Sequence, residues 1–197
     1  YYMLIENTDW LIGLTLDSLR QQGLDENTIV VFTTDHGDMM SAHRMIQKGS
    51  FYEEASRVPH IMRFPGVIQQ GSVCTEPVSG IDLYPTLCDY AGIDIPESLP
   101  GKSLKPLLQG EGGLDRDFVV VERPHGRMLR WGDYKYIRLK DGDIVTEYLY
   151  NLKEDPHEMQ EIGWRPENGT IREKCARMLD DWMKEMQADF LYTERRA

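Results

Sequence analysis

Apolar residues recur at helical spacing along the first twenty or so positions: Tyr1, Ile5, Ile12, Leu16 and Leu19 fall on one face, and Gly23 supplies a C-terminal stop. The next run, Thr28-Ile29-Val30-Val31-Phe32-Thr33, carries no charge and is rich in β-branched residues, the pattern of a strand buried on both faces. A helix followed by a buried strand is half of an α/β repeat. The strand is therefore expected to be parallel, with a ligand-bearing loop beyond its C-terminal end. That loop spans residues 34–50 and is polar and Gly-containing. His60-Ile61-Met62-Arg63-Phe64 predicts a further strand, stopped by Pro65-Gly66. Residues 81–90 predict a short helix with Asp82 near its start and Gly92 at its end. Residues 96–113, with their prolines and glycines, read as a connecting segment.

The periodicity then changes. Four short β-type runs, 118–122, 128–131, 134–139 and 147–150, are separated by turn signals such as Trp131-Gly132-Asp133 and Asp141-Gly142-Asp143. They predict a small antiparallel sheet. Thr170-x-x-Glu173 has the spacing of a capping box, and Ile171, Cys175, Leu179, Trp182, Met186 and Phe190 lie on one face of a long last helix expected to cover that sheet.

Composition narrows the function classes. With 33 acidic and 22 basic side chains the net charge is −11, which argues against a general nucleic-acid binder. Four Trp, ten Tyr and five Phe supply the bulk that disordered chains lack. No apolar stretch approaches the roughly 20 residues of a membrane-spanning helix. Cys74, Cys88 and Cys175 form no CxxC pair, so neither a zinc knuckle nor a disulfide framework is expected. The chain opens at Tyr1 inside a helical pattern and is expected to be part of something longer. Exported and cytoplasmic locations both stay open.

The sharpest chemical feature is Thr33-Thr34-Asp35-His36-Gly37-Asp38. A carboxylate and an imidazole side by side where a strand ends can face one cleft, and both are metal-ligand types. Alone, Asp-His-Gly is better read as a turn Asp beside a surface His.

The flanking residues change that balance. Asp35-His36-Gly37, Lys48 thirteen residues after Asp35, and Phe51-Tyr52-Glu53-Glu54-x-x-Arg57-Val58-Pro59 with a strand ending in Pro65-Gly66 resemble the sulfatase family of the alkaline-phosphatase-like superfamily. Ile81-Asp82-Leu83-Tyr84-Pro85-Thr86-Leu87, Gly101-Lys102-Ser103-Leu104 with Leu107-Leu108, Trp131-Gly132-Asp133-Tyr134-Lys135-Tyr136, and Tyr150-Asn151-Leu152 with Asp155-Pro156-x-Glu158 continue the resemblance in the family's order. It implies an α/β chain in two parts. Residues 1–113 would form the C-terminal part of the alkaline-phosphatase-like α/β catalytic domain, and residues 114–197 a small α+β subdomain with a four-stranded antiparallel sheet and a long C-terminal helix.

The resemblance also assigns roles. Asp35 and His36 match ligands of a divalent cation, usually calcium, where many members have Asn in place of the His; an imidazole is a softer donor and suits other divalent metals too. Lys48 matches the lysine that binds the sulfate and acts in catalysis. His43 has two readings of equal weight, binding the sulfate or protonating a leaving oxygen, and stabilising the loop. His125, in Arg123-Pro124-His125-Gly126-Arg127, could reach a substrate, although a surface loop is the simpler reading. Glu53, Glu54 and Arg57 are expected to fix their segment by pairing. Asn168-Gly169-Thr170 has the form of a glycosylation sequon, against which stands the use of Thr170 as a helix cap.

The family's nucleophile, a formylglycine made from a cysteine in Cys-x-Pro-Ser-Arg or Cys-x-Ala-x-Arg context, has no match among the three cysteines. The resemblance places it upstream, with further acidic metal ligands. The chain is thus expected to carry half of an active site, with the N-terminal portion of the same protein as its partner, and to be inactive alone. Two protein ligands would hold calcium weakly. The expected activity of the whole is hydrolysis of sulfate esters, either small molecules or sulfated carbohydrates. The alternatives are a phosphonate monoester or phosphodiester hydrolase of the same superfamily, and a non-catalytic, sulfatase-like anion-binding domain.

Overall fold

The computed structural model of the chain describes residues 1–188. Helix α1 (Tyr2–Gln21) opens it. None of its residues is buried. Ile12, Leu16 and Leu19 of the predicted face are half-buried, whereas Tyr1 and Ile5, and Trp10, Leu11 and Leu14 on other faces, are exposed.

Strand β1 (Val30–Thr33) follows, and β2 (His60–Arg63) pairs with it in register Val30 to Arg63 and Thr33 to His60. The pairing is antiparallel, and Val30 and Val31 are half-buried while Phe32 and Thr33 are exposed. This corrects the expectation of a parallel strand buried on both faces. Parallel neighbours are joined by a crossover, usually a full helix packed on the sheet. The connection here holds only the one-turn helix α2 (Glu53–Ser56) and a 3₁₀ turn at Ala42–Arg44, and it returns the chain beside its own outgoing strand.

Helix α3 (Leu83–Ala91) ends on Gly92, whose φ of 67° supplies the left-handed cap predicted for it. A 3₁₀ turn, Gly80–Asp82, leads into α3. The capping box of the structure is there: Asp82 accepts from the Ser79 backbone N–H at 2.7 Å, and Ser79 caps in return. Asp82 is fully buried and does more than start a helix. Arg116 grips both its oxygens at 2.5 and 2.7 Å, and the Lys102 N–H adds a third donor at 2.9 Å. The 96–113 connection, expected to be irregular, contains α4 (Lys105–Gln109), started by Pro106 in its first turn and stopped by Gly110.

Strands β3 (Phe118–Arg123), β4 (Gly126–Trp131), β5 (Tyr134–Asp141) and β6 (Ile144–Asn151) form the predicted antiparallel meander, in that order. Alternation gives the sheet two faces. On one, Val120, Leu129, Tyr136 and Leu149 share a rung and pack against Cys175 and Leu179 of the long helix α5 (Gly169–Glu185). On the other, Met128, Ile137 and Tyr150 enclose Phe51, delivered from the loop before α2. Gly126 makes room for that ring: a Cβ there would come within 2.6 Å of Phe51.

Helix α5 departs from expectation at both ends. Asn168 is its N-cap without a side-chain cap bond, and Thr170 is already helical, because Pro166 begins a 3₁₀ turn that runs straight into the helix. The Asn168 amide instead donates to the Ile162 carbonyl at 2.9 Å. Met186 is exposed, and Phe190 lies outside the described residues. All three cysteines are free, with Cys74 exposed and Cys88 and Cys175 buried. Among the described residues, no helix is long and apolar enough to cross a membrane.

Candidate functional site

The polar loop leaving β1 opens onto a cleft whose walls come from distant parts of the chain. Thr33, Thr34, Asp35 and His36 line it at the strand end, and Lys48, Gly49, Ser50, Glu53 and Arg57 from the loop and α2. His60 starts β2, while Val119, Val121 and Arg123 of β3 and Met128 and Arg130 of β4 come from the sheet.

The Asp-His-Gly turn is held by its own hydrogen bonds. Gly37 donates its N–H to the Ala55 carbonyl at 3.0 Å. A Cβ on Gly37 would lie 1.9 Å from the Glu54 carbonyl oxygen, so only glycine allows α2 to approach this closely. His36 Nδ1 sits 2.8 Å from the Gly37 carbonyl. A carbonyl only accepts, so Nδ1 carries a proton and donates it there. His36 Nε2 is 3.3 Å from Asp35 Oδ2, and Asp35 is largely exposed to the cleft. Desolvation is the largest single influence on Asp35 and opposes its ionisation, but the Thr34 hydroxyl, the His36 ring and the His36 N–H together hold its carboxyl below the usual range.

An imidazole whose far N–H is tied to a backbone carbonyl, beside an ionised carboxylate, is the donor arrangement seen around bound divalent cations. The two side chains therefore fit such a cation. They form a partial set: among the described residues, no three His, Cys, Asp or Glu side chains gather where one ion could touch them.

Lys48 lines the same cleft and is exposed. Its loop is anchored on both sides. Met39 N–H donates to the Gln47 carbonyl at 2.8 Å, and the buried Lys135 Nζ donates to the Phe51 carbonyl at 2.8 Å. Lys135 also meets Glu53 and Glu158 at 2.8 Å each, and Glu158 accepts from the Glu53 N–H at 2.7 Å. Glu53 thus pairs as expected, with Arg57 also approaching it at 3.9 Å, whereas Glu54 Oε2 lies 4.0 Å from His43 Nε2 and has no hydrogen-bond partner among the described residues.

The two further histidines lie elsewhere. His43 stacks on Tyr52, ring centroids 3.7 Å apart, with its side chain 11% exposed, and does not line the cleft. His125 sits exposed in the β3–β4 turn, also outside the cleft wall. The wall has two groups that the motif pattern did not single out. One is the pair Arg123 and Arg130, visible in the sequence only as charges interrupting β-type runs. The other is His60, whose Nε2 is buried with no hydrogen-bond partner among the described residues.

Known proteins resemble this chain over most of its length. The family model described as N-sulphoglucosamine sulphohydrolase, C-terminal, matches residues 41–186. Arylsulfatase K of Rattus norvegicus is 38% identical over 175 residues, covering 82% of this chain and 31% of the relative. Delta 4,5-hexuronate-2-O-sulfatase of Bacteroides thetaiotaomicron is 38% identical over 193 residues, covering 91% and 39%. A protein solved in complex with its substrate D-glucosamine-2-N,6-O-disulfate superimposes with a TM-score of 0.83 at 31% identity, covering 94% of this chain and 40% of that one. Phosphonate monoester hydrolase of Agrobacterium radiobacter gives a TM-score of 0.83 at 26% identity, covering 94% and 41%. The chain spans 31% and 39% of the length of the two curated relatives. From the matched family model, the order of its motifs and the shared fold, the chain belongs to the sulfatase family of the alkaline-phosphatase-like superfamily and corresponds to its C-terminal portion.

Proposed function

We propose that this chain forms one wall of a sulfate-ester hydrolase whose nucleophile, a formylglycine, belongs to the N-terminal portion of the same protein. The observation that carries the reading is the meeting of Asp35, His36 Nε2 and Lys48 on a single cleft. Asp35 and His36 would hold a divalent cation, calcium or a softer metal, completed by ligands from outside the chain. When bound, such a cation polarises a sulfuryl oxygen as a Lewis acid. Lys48 adds a fixed positive charge where oxygen charge grows as the S–O bond breaks, which favours the transition state over the bound ester. The Thr34 contact favours the ionised form of Asp35, and the Gly37 carbonyl fixes the orientation of the His36 ring before any ligand arrives.

The relative that acts on a hexuronate sulfate and the neighbour solved with a disulfated glucosamine support a sulfated carbohydrate as the substrate class. The phosphonate hydrolase neighbour favours a second reading, since its fold overlaps this one equally well. Turnover of an aryl sulfate and of phenyl phosphonate by the complete protein separates the two. The aryl sulfate is expected to be the better substrate, and a higher kcat/KM for the phosphonate would overturn the sulfatase reading. Asp35→Ala in the complete protein is expected to lower bound metal and turnover together. Unchanged metal content, measured on purified protein by elemental analysis, would remove Asp35 from the ligand set.

A further inference from the structure

Arg123 is the cleft cation that the proposed chemistry leaves unused. It ends β3, and with Val119 and Val121 it follows the period-two alternation that aims side chains from the sheet into the cleft. Its guanidinium carbon lies 5.4 Å from the centroid of the buried Phe51 ring. A Cβ built on Gly49, the neighbour of Lys48, would lie 3.4 Å from one of its nitrogens. The group is thus seated on an aromatic face, against the loop that carries Lys48.

The other arginines of the wall are committed. Arg116 is bound by both oxygens of Asp82, Arg130 donates to the Gly132 and Tyr134 carbonyls of its own hairpin, and Arg57 lies near Glu53. Among the described residues, the Arg123 guanidinium has no carboxylate within ion-pair distance and no hydrogen-bond acceptor. A planar donor fork, pre-oriented by stacking and facing an open cleft, is suited to a carboxylate or a sulfate.

Resting on the sulfatase reading above, we infer that Arg123 binds a second anionic group of the substrate beside the ester held at Lys48, and so selects sulfated sugars that carry an additional carboxylate or sulfate. Lys48 and the metal ligands would serve any sulfate ester. Arg123 would add affinity and positioning only for a doubly anionic one.

The test uses the complete enzyme and its Arg123→Gln and Arg123→Lys variants with three substrates: para-nitrophenyl sulfate, an O-sulfated hexuronate and a glucosamine carrying two sulfates. Arg123→Gln is expected to lower kcat/KM for a doubly anionic sugar relative to para-nitrophenyl sulfate by about 10–100-fold, the loss of one charge-assisted hydrogen-bonded contact. The fall should lie chiefly in KM. Arg123→Lys is expected to restore part of the ratio, which a packing defect would not. The arm that falls identifies the anion, carboxylate for the hexuronate and sulfate for the glucosamine. An active enzyme whose ratios stay the same in Arg123→Gln overturns the inference alone. A wild-type enzyme that hydrolyses none of the three sulfates overturns the sulfatase reading beneath it.

Discussion

Lys48→Ala in the complete protein is expected to lower kcat for sulfate-ester hydrolysis by about 10²–10³-fold, the usual cost of removing one preorganised charge from a site of developing oxyanion charge. Lys48 is exposed to the cleft and packs no core, so the thermal transition of the variant should match that of wild type. The loss should appear in kcat more than in KM, because the ammonium interacts most strongly when the leaving oxygen takes up charge. Lys48→Arg keeps a positive charge with a different shape and should recover part of the rate. Near-normal kcat in Lys48→Ala would exclude the residue from the chemistry and leave Asp35 and His36 as the proposed contribution of this chain.

The second large effect concerns stability. Lys135 is fully buried and bridges Glu53, Glu158 and the Phe51 carbonyl, joining the four-stranded sheet to the loop that carries Lys48. Lys135→Ala strands one fully buried and one partly buried carboxylate and is expected to cost about 3–5 kcal/mol, the range for breaking a buried pair by removing one partner. Denaturant unfolding of the complete protein measures it. A loss near 1 kcal/mol or less, the level of a surface ion pair, would show that water or rearrangement replaces the bridge. Acid supplies a second check. Burial holds the Glu158 carboxyl above its ordinary 4.5, with Lys135 opposing the shift. A carboxyl with a raised folded pKa takes up its proton more readily in the folded state, so its contribution to stability falls as pH rises through the window above 4.5. In Lys135→Ala the opposing charge is gone. The deficit should be largest where Glu158 is ionised and shrink as the pH falls and the buried carboxylate takes up a proton.

Periodicity made most elements legible in the sequence. The four β-type runs, the Gly92 stop and the Cys175–Leu179 stripe were readable because each depends on neighbours in the chain. Pairing direction was not, since the antiparallel register of β1 and β2 is decided by how residues 34–59 double back, and nothing in those positions states it. Thr170 failed as a cap for a related reason: the signal was local and correct in form, but Pro166 had already started the helix one turn earlier.

Of the proposed site, Asp35, His36 and Lys48 stand out in the sequence by motif order and not by physics, for an Asp-His-Gly turn alone predicts no cleft. Lys135 and Glu158 illustrate the limit. They lie 23 residues apart in two motif blocks to which the sequence gives no pairing, and only the fold brings them to within 2.8 Å. Arg123 carries no such signal beside His125, because a strand-end arginine is indistinguishable in sequence from a solvated charge.

The two faces of the meander carry a consequence for how this protein can vary. Leu129 faces α5 and its neighbour Arg130 faces the cleft, so adjacent letters of one strand serve unrelated duties. Point substitutions at 119, 121, 123 and 130 can therefore rewrite the charge and shape of the cleft wall without disturbing the packing beneath α5. A single-residue insertion within β3 or β4 would exchange the two sets at once, driving arginine into the core and leucine into the cleft. Exchangeability of letters combined with intolerance of length change makes this sheet a natural place to diversify specificity by directed substitution, and a poor place for loop grafting.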